Sequence, residues 1–303
     1  MMHPARPVTA SDPSAPNHSS SRTNTSRIGN DARRLTAIAL LLRPMGEWYV
    51  RPAILALAML ALISPAALKR PWLWNALAVL IAVRIAGDWP LSDNHIYLLA
   101  YWCLAIGLAS AAPLPAPALA RNSRLLIGLA FAFAVIWKAV LAPDFLDGRF
   151  FRVTLLTDPR FEDAAVLIGG LSRDQVRANR EALAAVAEGA VPLEPPAIVE
   201  TPQLRRLASV STFGILFLES AVSIVMLLPT GLPTLALRHL LLLSFCAVTY
   251  AFAPVAGFGW LLLAMGLAQC QDEWTLLRVI YIGMFVLVLF YSEVPWAGLL
   301  AGV

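Results

Sequence analysis

Apolar residues run along this chain in long blocks separated by short polar punctuation. Eight blocks stand out, at 49–68, 71–88, 95–113, 124–142, 207–229, 235–253, 255–270 and 275–293. A helix needs about 20 apolar residues to cross the roughly 30 Å hydrocarbon core of a bilayer. The pattern therefore predicts an all-α fold: a polytopic helical membrane protein of about eight transmembrane helices, with one extramembrane helical segment. The seventh block is short and begins beside Gly257 and Gly259, so blocks six and seven are expected to form a tight pair broken around Pro254.

The polar stretches divide the chain further. Residues 1–34 are rich in Ser, Thr, Asn, Pro and Arg and lack the apolar content to fold, which predicts a disordered tail. Residues 35–47 are too short to span and carry Arg43-Pro44, which predicts an interfacial helix. A four-helix membrane half over 48–142 is followed by an extramembrane cap over 143–206, a second four-helix half over 207–293 and a tail over 294–303. Within the cap, Ser172-Arg-Asp-Gln resembles a helix N-cap, with a helical run to Glu188 ended by Gly189. Pro192, Pro195, Pro196 and Pro202 make the return to the membrane extended.

Composition agrees with the blocks. The chain is 59% hydrophobic and only 14% charged, where a soluble domain carries about a quarter charged residues. The net charge of +4 sits in the tail and loops, so it carries topology rather than nucleic-acid binding. Lys69-Arg70, Arg121, Arg124 and Arg238 fall in alternate loops, and Asp88 and Asp93 in the loop after the second block. The positive-inside rule puts the first set in the cytoplasm and Asp93, His95 and the cap outside. The same count puts the Arg-bearing N-terminal tail outside, unless the tail crosses, residues 35–47 bring it back, or the topology is inverted. Cys103, Cys246 and Cys270 lie in apolar runs without metal-ligand spacing and read as buried small hydrophobes.

Ionisable residues inside or at the ends of apolar runs are where chemistry is sought. Arg84 and Asp88, four apart, can pair. His95 opens the third block behind Asp93 and Asn94, and either shuttles a proton or is a satisfied interfacial histidine. Lys138, one turn from the end of the fourth block, either snorkels to the interface or acts as a base. Glu219 is central in the fifth block and needs a partner across the bundle, with His239, Arg84 and Lys138 as candidates. No nucleotide loop, dinucleotide fingerprint, HExxH or CxxC pattern is present.

Several of these residues carry a resemblance. Glu47-Trp-Tyr, then Asn94-His95-Ile-Tyr97-Leu98, then Asp144-Phe-Leu-Asp147-Gly148, Leu218-Glu219-Ser-Ala and Phe258-Gly-Trp resemble the horizontally transferred transmembrane (HTTM) domain proteins and the membrane part of vitamin K-dependent gamma-glutamyl carboxylases. The resemblance covers roughly residues 47–265 and implies a protein of the bacterial inner membrane. It also implies a quinone as cofactor or substrate, a lysine that deprotonates the quinol, and His95 in an assisting role. Asn94, Tyr97, Asp144, Asp147 and Glu219 would then line the substrate site. Lys138 lies two residues before Val140, where the family's lysine stands, about 200° round a helix. Two other readings compete with a quinone- or lipid-binding protein or enzyme: a non-enzymatic scaffold or partner subunit, and a small-molecule transporter. The expected partners are the bilayer and a hydrophobic small molecule, with no nucleic acid and with any protein partner unspecified.

Overall fold

The computed structural model describes residues 18–43, 45–187, 198–229, 232–252, 255, 257–271 and 273–293. Among them the chain is all-helical, without a strand. In chain order the helices are α1 (His18–Leu42), α2 (Arg51–Ile63), α3 (Pro65–Leu68), α4 (Pro71–Gly87), α5 (Asn94–Ala111) and α6 (Pro115–Ile136), which continues as a π-turn over Trp137–Leu141. The cap holds α7 (Pro143–Leu146), α8 (Arg149–Thr157), α9 (Glu162–Leu167) and α10 (Arg173–Ala187). The chain returns through α11 (Pro202–Leu227), α12 (Leu232–Phe252), α13 (Gly259–Leu267) and α14 (Thr275–Val288). Proline in the first turn starts α2, α3, α4, α6, α7 and α11. There the missing N–H would have had no helical partner, and the ring presets φ.

Among the described residues four helices are long and apolar enough to cross a membrane: Asn94–Ala111, Pro115–Leu141, Pro202–Leu227 and Thr234–Phe252. Their outer faces present Leu104 and Leu108, Phe133 and Ile136, Phe213 and Phe217, and Leu240. That is the pattern of a protein whose solvent is lipid. The other predicted blocks are shorter as helices. The first is broken where Ser64 caps Pro65, leaving the 13 residues of α2, about 20 Å of helix. The seventh is the nine-residue α13, every residue of which is buried.

The N-terminal region departs from expectation. Residues 18–34 belong to α1 rather than to a disordered tail, and residues 35–42 complete the same helix rather than forming an interfacial one. Small and apolar positions explain this: Ala32, Ala37, Ala39 and Leu40 are fully buried in the bundle core. The polar residues on that face find partners. Thr36 accepts a 3.0 Å bond from the Trp102 indole, and Arg33 donates to Ser110 at 3.0 Å.

Contacts also fix helix directions. α1 runs antiparallel to α5, with Arg33 at Ser110 and the Arg43 guanidinium beside His95 against Gly257. Arg278 meets Asp31 at 2.8 Å. The Arg33 end of α1 thus lies at the end of the bundle that carries Arg121, Arg124 and Arg238.

The cap has its own small core of Leu155, Leu156, Ala165, Leu171, Val176, Leu204, Leu207 and Ala208. The first turns of α11 belong to it, which is why that helix starts at Pro202 rather than at 207. The expected cap of α10 is present as a reciprocal box: Ser172 Oγ accepts from Gln175 N at 3.2 Å, and Gln175 Oε1 accepts from Ser172 N at 2.8 Å. Its predicted end at Glu188 and Gly189, and the Pro192–Pro196 return, lie outside the described residues. Asn179, buried, exchanges both amide atoms with the Val199 backbone at 2.8 Å each.

Acid pairs hold the cap's rim. Hydrogen bonding to Arg160 lowers the Asp158 pKa, and hydrogen bonding to Arg180 lowers that of Glu162. A carboxylate whose folded pKa is depressed stabilises the fold above its unfolded pKa, and that contribution is lost as pH falls through the folded value. Hydrogen exchange should therefore show full protection of 155–180 from pH 8 down to about 5, and progressive loss below about pH 4. Protection that persists unchanged at pH 3 would mean these pairs contribute nothing.

Candidate functional site

Two polar clusters lie toward the acidic end of the bundle. The first is built on α6 and α11, which pack closely because Gly128 presents no side chain to Leu227. A Cβ there would meet the Leu227 side chain at 2.8 Å. Ser223 donates to the Gly128 carbonyl at 3.1 Å. Small residues and such bonds are how helices approach inside a bilayer. Further along this seam the Lys138 ammonium donates to Glu219 Oε1. Glu219 is only 6% exposed, and its second oxygen, Oε2, is buried without a hydrogen-bond partner. Lys138 lies over the Phe145 ring, 5.3 Å from its centroid. Phe145 is buried and packed against Phe150 and Phe151 at 5.4 and 5.8 Å. The cap therefore touches the pair through one aromatic ring.

Lys138 stands in the π-turn Trp137–Leu141. A π-turn inserts a residue into the helix and resets the phase of the residues after it. Here Lys138 points into the seam, and Val140 is 71% exposed. The interior position at this level belongs to Lys138.

The second cluster surrounds His95. Its Nε2 lies 3.5 Å from Asp93 Oδ2. Its ring and the Arg43 guanidinium both press on Gly257, where a Cβ would meet Arg43 Nη1 at 2.4 Å and His95 Cδ2 at 2.7 Å. Arg84 and Asp88 pair as expected, at 3.3 Å.

The structure thus brings some predicted site residues together and separates others. Of the three candidates for Glu219, the partner is Lys138; His239 instead bonds the Tyr281 hydroxyl at 2.9 Å. Among the described residues no hydrogen bond or ion pair joins His95 to Lys138 or Glu219. Asn94 is exposed and Tyr97 half-buried in the first turn of α5. Asp144 is exposed. Asp147 is also exposed and holds a turn, accepting from the Arg149 backbone at 2.9 Å and its guanidinium at 2.6 Å. The three cysteines are free and buried, as expected.

Sequence reasoning missed Phe145 as the Lys138 platform, although it stands inside the Asp-Phe-Leu-Asp motif. It also missed Arg43 and Gly257 beside His95. Nothing in the chain marks residues so far apart in sequence as neighbours. Among the described residues no group of His, Cys, Asp and Glu side chains could hold a metal ion. Comparison of the chain with protein-family models, with curated proteins and with solved structures finds no match.

Proposed function

We propose that this is a multi-pass membrane protein that binds a hydrophobic small molecule of the quinone type at the Lys138–Glu219 pair. The observation that carries the reading is the pair itself. Two opposite charges are held inside the seam of membrane-length helices, with one carboxylate oxygen left unpartnered. Desolvating an ion pair costs several kcal/mol per charge, by rough estimate, and hydrophobic residues of similar size would pack there at least as well. Ionisable groups in such helices mark sites and pathways. The chain places one of its two lysines here. The HTTM and carboxylase resemblance supports the same residues, with Lys138 in the basic role because it, and not Val140, faces inward.

In this reading α1, α2–α3, α4 and α14 traverse the bilayer beside the four long helices, and the nine-residue α13, about 14 Å long, lies buried among them. Set against the eight apolar blocks, α1 is added as a traverse and the seventh block becomes an interior helix. The arginine end lies in the cytoplasm and the cap outside the inner membrane of a bacterium. A second reading, a non-enzymatic subunit that presents the cap to a protein partner, draws support from the cap's separate core.

The test uses protein purified into nanodiscs. Solvent extraction and mass spectrometry should find a near-stoichiometric hydrophobic ligand, reduced at least tenfold in Lys138→Ala and Glu219→Gln. Equal ligand in all three proteins would sink the reading. Turnover is then assayed with quinol, oxygen, labelled carbon dioxide and a Glu-containing peptide. Quinone epoxide with fixed label marks a carboxylase, and epoxide alone an uncoupled quinol oxygenase.

A further inference from the structure

We infer that the cleft between the end of α4 and the start of α5 binds the headgroup of a zwitterionic phospholipid bearing a primary amine. This site is separate from the Lys138–Glu219 pair and does not rest on the reading given to it.

The cleft is open, about 370 Å³ in volume, and lined by Arg84, Asp88, Trp89, Leu91, Asp93 and Ile96 among others. It lies where α5, one of the four membrane-length helices, begins. Trp89 is 71% exposed and Leu91 88% exposed beside it. Large apolar side chains so exposed at the mouth of a span sit naturally among acyl chains and glycerol, and tryptophan is the residue that favours that depth. The polar wall offers both signs of charge. Arg84 uses Nε on Asp88 at 3.3 Å, and among the described residues its two terminal nitrogens make no hydrogen bond. Asp93 is 68% exposed on its side chain and faces His95 at 3.5 Å.

One arginine against two aspartates selects the ligand. The terminal nitrogens of Arg84 take the phosphate in the paired geometry that a guanidinium provides. Asp88 and Asp93 take the amine. A primary ammonium donates three hydrogen bonds to carboxylates, whereas a trimethylammonium has no N–H to donate. An anionic headgroup would bring further negative charge to a wall that already carries an excess. The exposed side chains of Trp89 and Leu91 beside the polar wall offer apolar surface to acyl chains, which makes the lipid, rather than the free headgroup, the better ligand.

Purified full-length protein in detergent is titrated with short-chain phosphatidylethanolamine, phosphatidylcholine and phosphatidylglycerol, and with soluble phosphoethanolamine, and occupancy is read by native mass spectrometry. Phosphatidylethanolamine should bind about tenfold tighter than the other two lipids, the scale of one charge-assisted hydrogen bond gained. Asp93→Asn, on an exposed side chain, should cut that preference at least threefold without lowering the melting temperature. Asp88→Asn should do the same, and if it fails to fold, Asp93→Asn decides. Glu219→Gln should keep the preference, which separates this site from the buried pair. Equal binding of the three lipids, or a preference untouched by Asp93→Asn, overturns the inference. Phosphoethanolamine binding as tightly as the lipid overturns the assignment to a bilayer component.

Discussion

Lys138→Met is expected to destabilise the protein by about 3 kcal/mol, because it leaves the Glu219 carboxylate buried without a counter-charge. The reciprocal change should cost less. Glu219→Leu leaves Lys138, whose side chain is 22% exposed and stands one turn from the end of its helix. Its ammonium can swing to the interface on a long aliphatic stem. About 1 kcal/mol is expected, the scale of an exposed ion pair. The double variant Lys138→Met with Glu219→Leu should recover most of the loss, since an apolar pair of similar volume replaces two desolvated charges. Chemical or thermal unfolding in detergent measures all three, and the cycle isolates the coupling. Ligand content should not recover with stability: the double variant folds but has lost both polar partners. Additive losses in the double variant would show that the two residues do not act on each other.

Gly257→Ala is the second large effect, at about 2 kcal/mol or more. Gly257 has φ +85°, a left-handed conformation that costs an L-residue roughly 1–2 kcal/mol. The new methyl would also meet Arg43 Nη1 at 2.4 Å and the His95 ring at 2.7–2.9 Å. The arginine can swing away, but the histidine is held in the first turn of α5, so the ring must move or the turn before α13 must lift. Chemical modification of His95 should accelerate as the melting temperature falls. Gly283→Ala is the control. It is helical, exposed and has nothing within 4 Å of its Cβ position, so it should gain several tenths of a kcal/mol from helix propensity. A Gly257→Ala protein as stable as wild type would show that the turn is not held in this conformation.

Apolar block length and loop charge made much of this architecture legible. The cap, the α10 N-cap at Ser172 and Gln175, the Arg84–Asp88 pair and the burial of the cysteines all follow from local pattern. Such signals are carried by residues within a turn or two of each other. Helix α1 was not legible because its polar first half hides the small residues Ala32, Ala37 and Ala39, whose value lies in what packs on them. The break at Ser64-Pro65 was local and readable, but average hydropathy across 49–68 outweighed it.

At the site the division is sharper. By itself the sequence determined that the chain is an all-helical membrane protein, that Glu219 lies at a depth requiring a partner, and that polar residues gather at one set of helix ends. Only the tertiary structure decided that the partner is Lys138 rather than His239 or Arg84, that a π-turn directs Lys138 inward and Val140 outward, and that His95 keeps company with Arg43 and Gly257 instead. Hydrophobic burial in a bilayer is non-directional and acts on each segment separately, so it can be read one segment at a time. Which charge meets which depends on helix phase and on close approach at residues such as Gly128, and both arise only when the helices pack together.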